Sequence, residues 1–473
     1  MAIKAAFVII VGVGQLAVQL AESRPSLSAP EGNEPRFGRI SMANQRNLAG
    51  SKTYSLHPRV SVAATAPIHS TTRRLMHILP SLPALPIARA SLVLGVALLT
   101  LGCSNNNAPD SAAGTTPADS TAVAGAAPVA PANSPLQVVA ELREPQFVGV
   151  AVTPDSRIFL VSPRWDYNPV NPIAEVGPNN TLKPYPDASW CTWNDSVRNE
   201  PEKHWICPQA AYVDRSGMLW VLDPAAPGLK YTVPGGPKLV KIDPKINQVV
   251  QTIRFDQTVA PRKSYLNDVR IDLDNNYAYI TESSQGGIVV VDLKTQKARR
   301  VLTTHPSVKA EPIRLNVEGN PMLDPMGKPA KLHSDGIALS VDNKHLYYHA
   351  VTGYTLYRIP TAALRNAALS EEQLGQQVEN LGKTPACDGL EIDKAGNVYL
   401  TAIEQNAVVR RTPDGKLEEL AKDPRLQWPD TYALTADGTL YVTASAIHKT
   451  PTWNKGVGKQ NQPYRLFKMK LPQ

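Results

Sequence analysis

The chain has 473 residues, 42% of them hydrophobic, with 49 Lys and Arg against 41 Asp and Glu. That length suffices for one large β domain or two ordinary domains. The formal net charge of +8 sits almost wholly in residues 1–102, which carry ten basic and three acidic residues. The remainder carries 39 and 38, so the body has no global electrostatic reason to seek polyanions, and nucleic acid is not an expected partner.

Residues 1–75 read as an over-extended or disordered leader, with Met76 as the expected start. Gly12-Val13-Gly14 superficially matches a dinucleotide fingerprint, but it runs into Arg24-Pro25-Ser26 with no second strand behind it. Residues 76–102 read as a signal peptide. Arg89 precedes the apolar run Ser91 to Leu99, and Gly102 stands before Cys103. Cys103 is therefore the expected lipidation site of an exported periplasmic or cell-surface lipoprotein, touching membrane only through that anchor. Residues 103–135 are rich in Ala, Pro, Ser and Thr and read as a tether that cannot build a core. In an exported protein, Cys191 and Cys207 are expected to pair as a disulfide, whereas Cys387 reads as a packing residue. Trp190, Trp193 and Trp205 straddle the expected bridge and should pack over the first blades.

From residue 146 a single unit recurs six times: an alternating strand, a turn with Asp, Asn or Gly, then a strand rich in aromatic and β-branched residues. The units open at residues 148, 209, 267, 335, 388 and 430. One hairpin cannot bury its apolar face alone, so the copies must stack, and radial closure protects their edges. The expected fold is thus all-β, a six-bladed β-propeller over residues 136–473. Leu136 to Leu142 and Tyr464 to Leu471 share the closing blade. Ser370 to Leu381 reads as a helical insertion opened by a Ser370…Gln373 capping box.

Ser162-Pro163-Arg164-Trp165, Pro184-Tyr185-Pro186, Leu219-Trp220-Val221-Leu222-Asp223 and Tyr279-Ile280-Thr281-Glu282 occur in this order. Ser334-Asp335-Gly336-Ile337-Ala338-Leu339-Ser340, Leu346-Tyr347-Tyr348 and Leu356-Tyr357-Arg358-Ile359-Pro360 follow. In these motifs and their sequence, residues 136–473 resemble the yellow/major royal jelly proteins. More distantly, they resemble the regucalcin/gluconolactonase propellers. The first resemblance implies an exported six-bladed propeller that binds a small organic ligand, with dopachrome-tautomerase-like isomerase activity as one expectation. The second implies a metal-dependent lactone hydrolase, and a non-enzymatic interaction scaffold is the third reading.

Antiparallel pairing puts the start of each first strand and the end of each second strand at one face of the propeller. The starts supply Gln209, Asn267, Asp268, Asp335, Asp388 and Asp430; the ends supply Arg164, Asp223, Glu282, His349 and Glu404. Gln209, Asp268, Asp430 and Glu282 are candidate ligand-binding residues. Converging carboxylates and amides suit Ca²⁺ or another divalent cation, or an amine. The likeness to gluconolactonases implies Asn267, Asp335 and Asp388 as metal ligands. Their fourth ligand has no clear match, so Gln146 or Glu144 would have to stand in. In that reading Asp388 is the catalytic base, and in a tautomerase His349 is the candidate acid/base. An Asp before Gly can also simply cap a strand entrance. The chain contains no nucleophile elbow, zinc-protease motif, phosphate loop or CxxC. No nucleotide or organic cofactor is expected, and the protein is expected to be a monomer.

Overall fold

A computed structural model describes residues 129–472, which leaves the expected leader, the signal peptide and Cys103 outside the described residues. Within them the period-2 segments pair as six four-stranded antiparallel sheets. Blade 1 begins at Gly149–Val152, blade 2 at Ala210–Val213, blade 3 at Leu266–Asp272, blade 4 at Ser334–Leu339, blade 5 at Cys387–Ile392 and blade 6 at Pro429–Leu434. Blade 6 consists of Pro429–Leu434, Thr439–Ala444, Tyr464–Lys470 and, from the other end of the domain, Gln137–Leu142. That strand pairs antiparallel with Tyr464–Lys470, Gln137 opposite Lys468 and Leu142 opposite Tyr464 with one register shift between Val138 and Ala140, and the ring is closed as expected.

Each junction between neighbouring blades buries its own apolar cluster. Phe159 and Val221 meet between blades 1 and 2, Leu222 and Val269 between 2 and 3, and Tyr279 and Ile337 between 3 and 4. Ala338 and Leu400 meet between 4 and 5, Tyr399 and Tyr432 between 5 and 6, and Val150 and Leu466 between 6 and 1. Six interfaces stabilise one another only as a closed set, because any open edge exposes a cluster and a row of backbone donors. The turn aspartates also hold the second-strand aromatics. Asp214 accepts from the Trp220 indole at 2.8 Å and Asp393 from the Tyr399 hydroxyl at 2.7 Å, so each polar ring tip is satisfied where it is buried.

Two local expectations need correction. The helix opened by the Ser370–Gln373 capping box runs only over Glu371–Gly375. Glu379–Lys383 is instead the outer strand of blade 4, paired with Thr355–Pro360. It covers the backbone edge of that third strand, and Glu379 also meets Arg358 at 2.7 Å. The expected disulfide is absent, because Cys191, Cys207 and Cys387 are all buried free thiols. The Arg164 guanidinium donates to the carbonyls of Cys191, Trp205 and Ile206 and so ties the two cysteine segments together in place of a bridge. The Cys191 thiol turns toward the carbonyls of Ile173 and Tyr185. Cys387 packs between blades 4 and 5, and Trp205 is buried between blades 1 and 2 with Trp190 against it, both as expected.

Candidate functional site

The inner strands of blades 3 to 6 share a defect. Their register with the second strand slips between Leu266 and Val269, Ser334 and Ile337, Cys387 and Leu390, and Pro429 and Tyr432. In each bulge two residues of the inner strand stand opposite one of the second: Asn267-Asp268 opposite Thr281, Asp335-Gly336 opposite His349, Asp388-Gly389 opposite Thr401 and Asp430-Thr431 opposite Thr443. A bulge breaks the ladder and re-aims side chains, and here it gathers the four aspartates into one electrostatic group. It also frees backbone N–H groups, which the second-strand threonines take up. Thr281 accepts from Asp268, Thr401 from Asp388 and Gly389, and Thr443 from Thr431. The glycines answer a separate need. A Cβ on Gly336 would lie 2.2 Å from the Asp388 carbonyl oxygen, and one on Gly389 would lie 2.1 Å from that of Asp430. Asp-Gly in blades 4 and 5 therefore lets neighbouring inner strands approach closely.

The polar side chains form one hydrogen-bonded chain around the lumen. Trp165 donates to the Tyr265 hydroxyl at 2.6 Å, which donates to Gln209 Oε1 at 2.8 Å. Gln209 Nε2 reaches Asn267 Oδ1 at 3.3 Å, and Asn267 Nδ2 donates to Asp335 Oδ2 at 2.6 Å. From the other side, the Trp428 indole donates to Asp388 Oδ2 at 2.6 Å. The Asp335 and Asp388 carboxyl groups lie close enough to shift one another's protonation. Donors thus converge from both directions on one pair of carboxyl groups. Asp430 lies one blade on and accepts from Ser445 at 3.0 Å.

None of these aspartates is more than 7% exposed. Burial disfavours their charge first, and their neighbours add repulsion. Asp268 is pushed up to about 7, with Asp388 and Glu391 adding to burial and Arg270 opposing it. Asp388 is pushed up to about 6 by burial, against the indole of Trp428 and the carboxyl group of Asp335. Burial and then Asp388 hold Asp335 and Asp430 well above the ordinary carboxylate range. Carboxyl groups that exchange protons near neutrality can bind a cation or move a proton.

Arg270 lies on the strand-interior side of this acidic ring. It lies two residues beyond Asp268 on the same strand and crosses from blade 3 to blade 5, donating to the Leu390 carbonyl at 2.6 Å. Glu391 lies 3.7 Å away and the Tyr212 ring 5.0 Å away, while Arg270 Nε is buried without a partner. The first residues of the strands do not reveal Arg270. Strand alternation, which returns residue i+2 to the same face, would have found it.

The other expected residues lie elsewhere. His349 occupies in blade 4 the position of the bulge threonines. It is fully buried, with Nδ1 against the Ala350 carbonyl at 2.7 Å and Nε2 against the Thr384 hydroxyl at 3.0 Å. Burial lowers its pKa to about 4, so it is a satisfied core histidine rather than an acid/base at the mouth. Glu282 is likewise structural: it accepts from the backbone of Tyr265, Ser284 and Gln285 and pairs with Arg300 at 3.0 Å. Asp223 does the same for blade 2, holding Lys238 at 2.9 Å with both side chains fully buried. Gln146 donates to the Ser445 carbonyl beside Asp430.

The implied metal fits this donor set poorly. Asn267 turns its amide N–H toward Asp335 and gives its oxygen to Gln209, and Trp428 occupies one oxygen of Asp388. Among the described residues no group of three or more His, Cys, Asp or Glu is disposed to hold a metal ion.

Comparison with known proteins agrees with the resemblance seen in the motifs. The sequence profile of the family described as "Major royal jelly protein" matches residues 207–471, more than half of the chain. Major royal jelly protein 1 of Apis mellifera is 22% identical over 248 residues, covering 50% of this chain and 54% of that protein. The chain thus spans about half the length of that curated relative. Among solved structures, a gluconolactonase of Xanthomonas campestris is 13% identical, covering 71% of this chain and 89% of that one, with a TM-score of 0.44. Virginiamycin B lyase of Staphylococcus aureus is also 13% identical, covering 70% and 98%, with a TM-score of 0.39. Likenesses this remote carry no argument about chemistry.

Proposed function

Because the chain belongs to the major royal jelly protein family, we propose that it is an exported binding propeller whose acidic chamber takes a small organic cation. The observation that carries this reading is the convergence of Asp268, Asp335, Asp388 and Asp430 on one another, with Arg270 acting on Asp268 alone among them. Four buried carboxyl groups facing one another favour any guest that brings positive charge and N–H donors. A primary amine supplies both without needing a coordination cage, and so suits Asn267 and Trp428 as they stand better than Ca²⁺ does. Export would follow from the signal before Cys103, with a lipid on that residue holding a monomeric propeller at the membrane surface.

The test is the melting temperature of the full-length protein at pH 7 with 2-phenylethylamine, with a catechol and with calcium chloride. Stabilisation by the amine that is lost in Asp335→Asn supports the reading. If no amine shifts the wild-type melting temperature, the reading fails; stabilisation by calcium alone would favour the divalent-cation alternative.

A second reading rests on the Asp335–Asp388 pair. One carboxyl group held protonated beside one that ionises at about 6 can give and take a proton on a bound ligand, as an isomerase of the dopachrome-tautomerase type requires. Asp388→Asn should then abolish turnover of dopachrome.

A further inference from the structure

The segment between blades 3 and 4 makes a small hairpin, Asn316–Val317 with Asn320–Pro321, turning on Glu318 and Gly319, both at positive φ. Leu315, Val317, Met322 and Ala330 do not pack against their own blades alone. They join one apolar cluster with Val148, Val351, Ala386, Ile403, Trp428 and Ile447, which stand at the same end of blades 1, 4, 5 and 6. Asp388 and Asp430 follow Ala386 and Trp428 by two residues each, so this cluster stands at the entrance end of the strands that carry the acidic ring. On the strand-interior side, Arg270 bonds to the main chain of blades 3 and 5. The hairpin is fastened mostly by side chains. Glu318 accepts from Gln427 at 3.0 Å, Asn406 at 3.2 Å, His448 at 3.1 Å and Lys449 at 2.9 Å. Asn316 donates its backbone N–H to Glu404 at 2.7 Å.

His448 carries the fastening inward. Its ring stacks on Trp428, with centroids 6.0 Å apart and planes 15° apart, and the indole N–H of Trp428 holds Asp388. We propose that the segment Leu315 to Ala330 is the lid through which a ligand reaches the acidic chamber, and that Glu318 is its latch. Glu318 is also a positioning residue for Asp388, acting through His448 and Trp428. The chamber's occupant rests on the function proposed above; the lid rests on packing and hydrogen bonds alone. Opening breaks the bonds of Glu318 and Asn316 and exposes Leu315, Val317, Met322 and Ala330, whereas opening the strand-interior side would disturb two inner strands.

The experiment uses the full-length protein with Glu318→Ala, Glu318→Gln and Trp428→Phe. Acid-ring accessibility is read by labelling with a water-soluble carbodiimide and methylamine, mapped by mass spectrometry. Glu318→Ala should label Asp335 and Asp388 at least tenfold faster than wild type, while Asp223, buried in blade 2, stays unlabelled and reports an intact fold. Glu318→Gln, which keeps the amide contacts, should restore most of the protection. Trp428→Phe should leave labelling rates near wild type but weaken 2-phenylethylamine binding at least fivefold. Unchanged labelling of Asp335 and Asp388 in Glu318→Ala would overturn the lid. Faster labelling with no change in the association rate of 2-phenylethylamine would overturn the hairpin as its route. A wild type that binds no amine, yet shows the labelling pattern, would sink the proposed occupant and leave the lid supported.

Discussion

Replacing Asp268 by Asn should stabilise the ligand-free protein, and only at the alkaline end of its range. Asp268 is fully buried, and its pKa rises from the ordinary 3.8 to about 7. A carboxyl group whose folded pKa is raised binds its proton more tightly in the folded state. Its favourable contribution is complete below pH 3.8 and is lost as pH rises through 7. The shift of about three units corresponds to about 4 kcal/mol lost by pH 8, an upper bound because relaxation and water soften buried charge. Asn has the same shape and no charge to bury. Denaturant unfolding of wild type and Asp268→Asn at pH 4 and pH 8 gives the comparison. The variant should differ little from wild type at pH 4 and be more stable by about 2–4 kcal/mol at pH 8. Equal effects at both pH values would refute the claim that Asp268 is a desolvated carboxyl group facing like charges.

Deleting Gln137–Leu142 should lower the melting temperature by ten degrees or more, on the order of several kcal/mol, because it opens the ring and leaves Tyr464–Lys470 unpaired; an unchanged melting temperature would contradict closure. Gly389→Ala should destabilise by about 3 kcal/mol or more, since its Cβ would lie 2.1 Å from a backbone oxygen, measured by the same unfolding curves. Cys191 and Cys207 should alkylate only after denaturation and without prior reduction; a requirement for reductant would restore the disulfide.

The blades were legible because their signal is redundant. Leu219-Trp220-Val221-Leu222 and five counterparts each combine β-branched or aromatic content with a polar turn, and stacking leaves few other ways to bury them. The acids and the amide beside them were legible by register alone, since Asn267-Asp268, Asp335, Asp388 and Asp430 open equivalent strands. The bulge that gathers them was not, because its one extra residue falls at the strand entrance, before the alternating run begins. His349 illustrates the limit of placing residues by strand end. It lies at the expected height, but its side chain turns into the core, where Thr384 and a carbonyl use both nitrogens. The segment after Gly375 carries polar residues in no clear period, and only the open edge of blade 4 makes it a strand. The lid was the least legible part, since strands of two residues have no period at all.

The central claim, a cation site built from protonated carboxyl groups, is tested most directly by isothermal titration of 2-phenylethylamine into the full-length protein at pH 6.5 in two buffers of different ionisation enthalpy. A cation entering the ring should drive protons off Asp388 and Asp268, whose pKa values lie near 6 and 7. The account predicts net proton release to buffer on binding, tighter binding at pH 7.5 than at pH 5.5, and loss of both effects in the Asp268→Asn, Asp388→Asn double variant. Binding with no proton release, at an affinity the double variant retains, would contradict it.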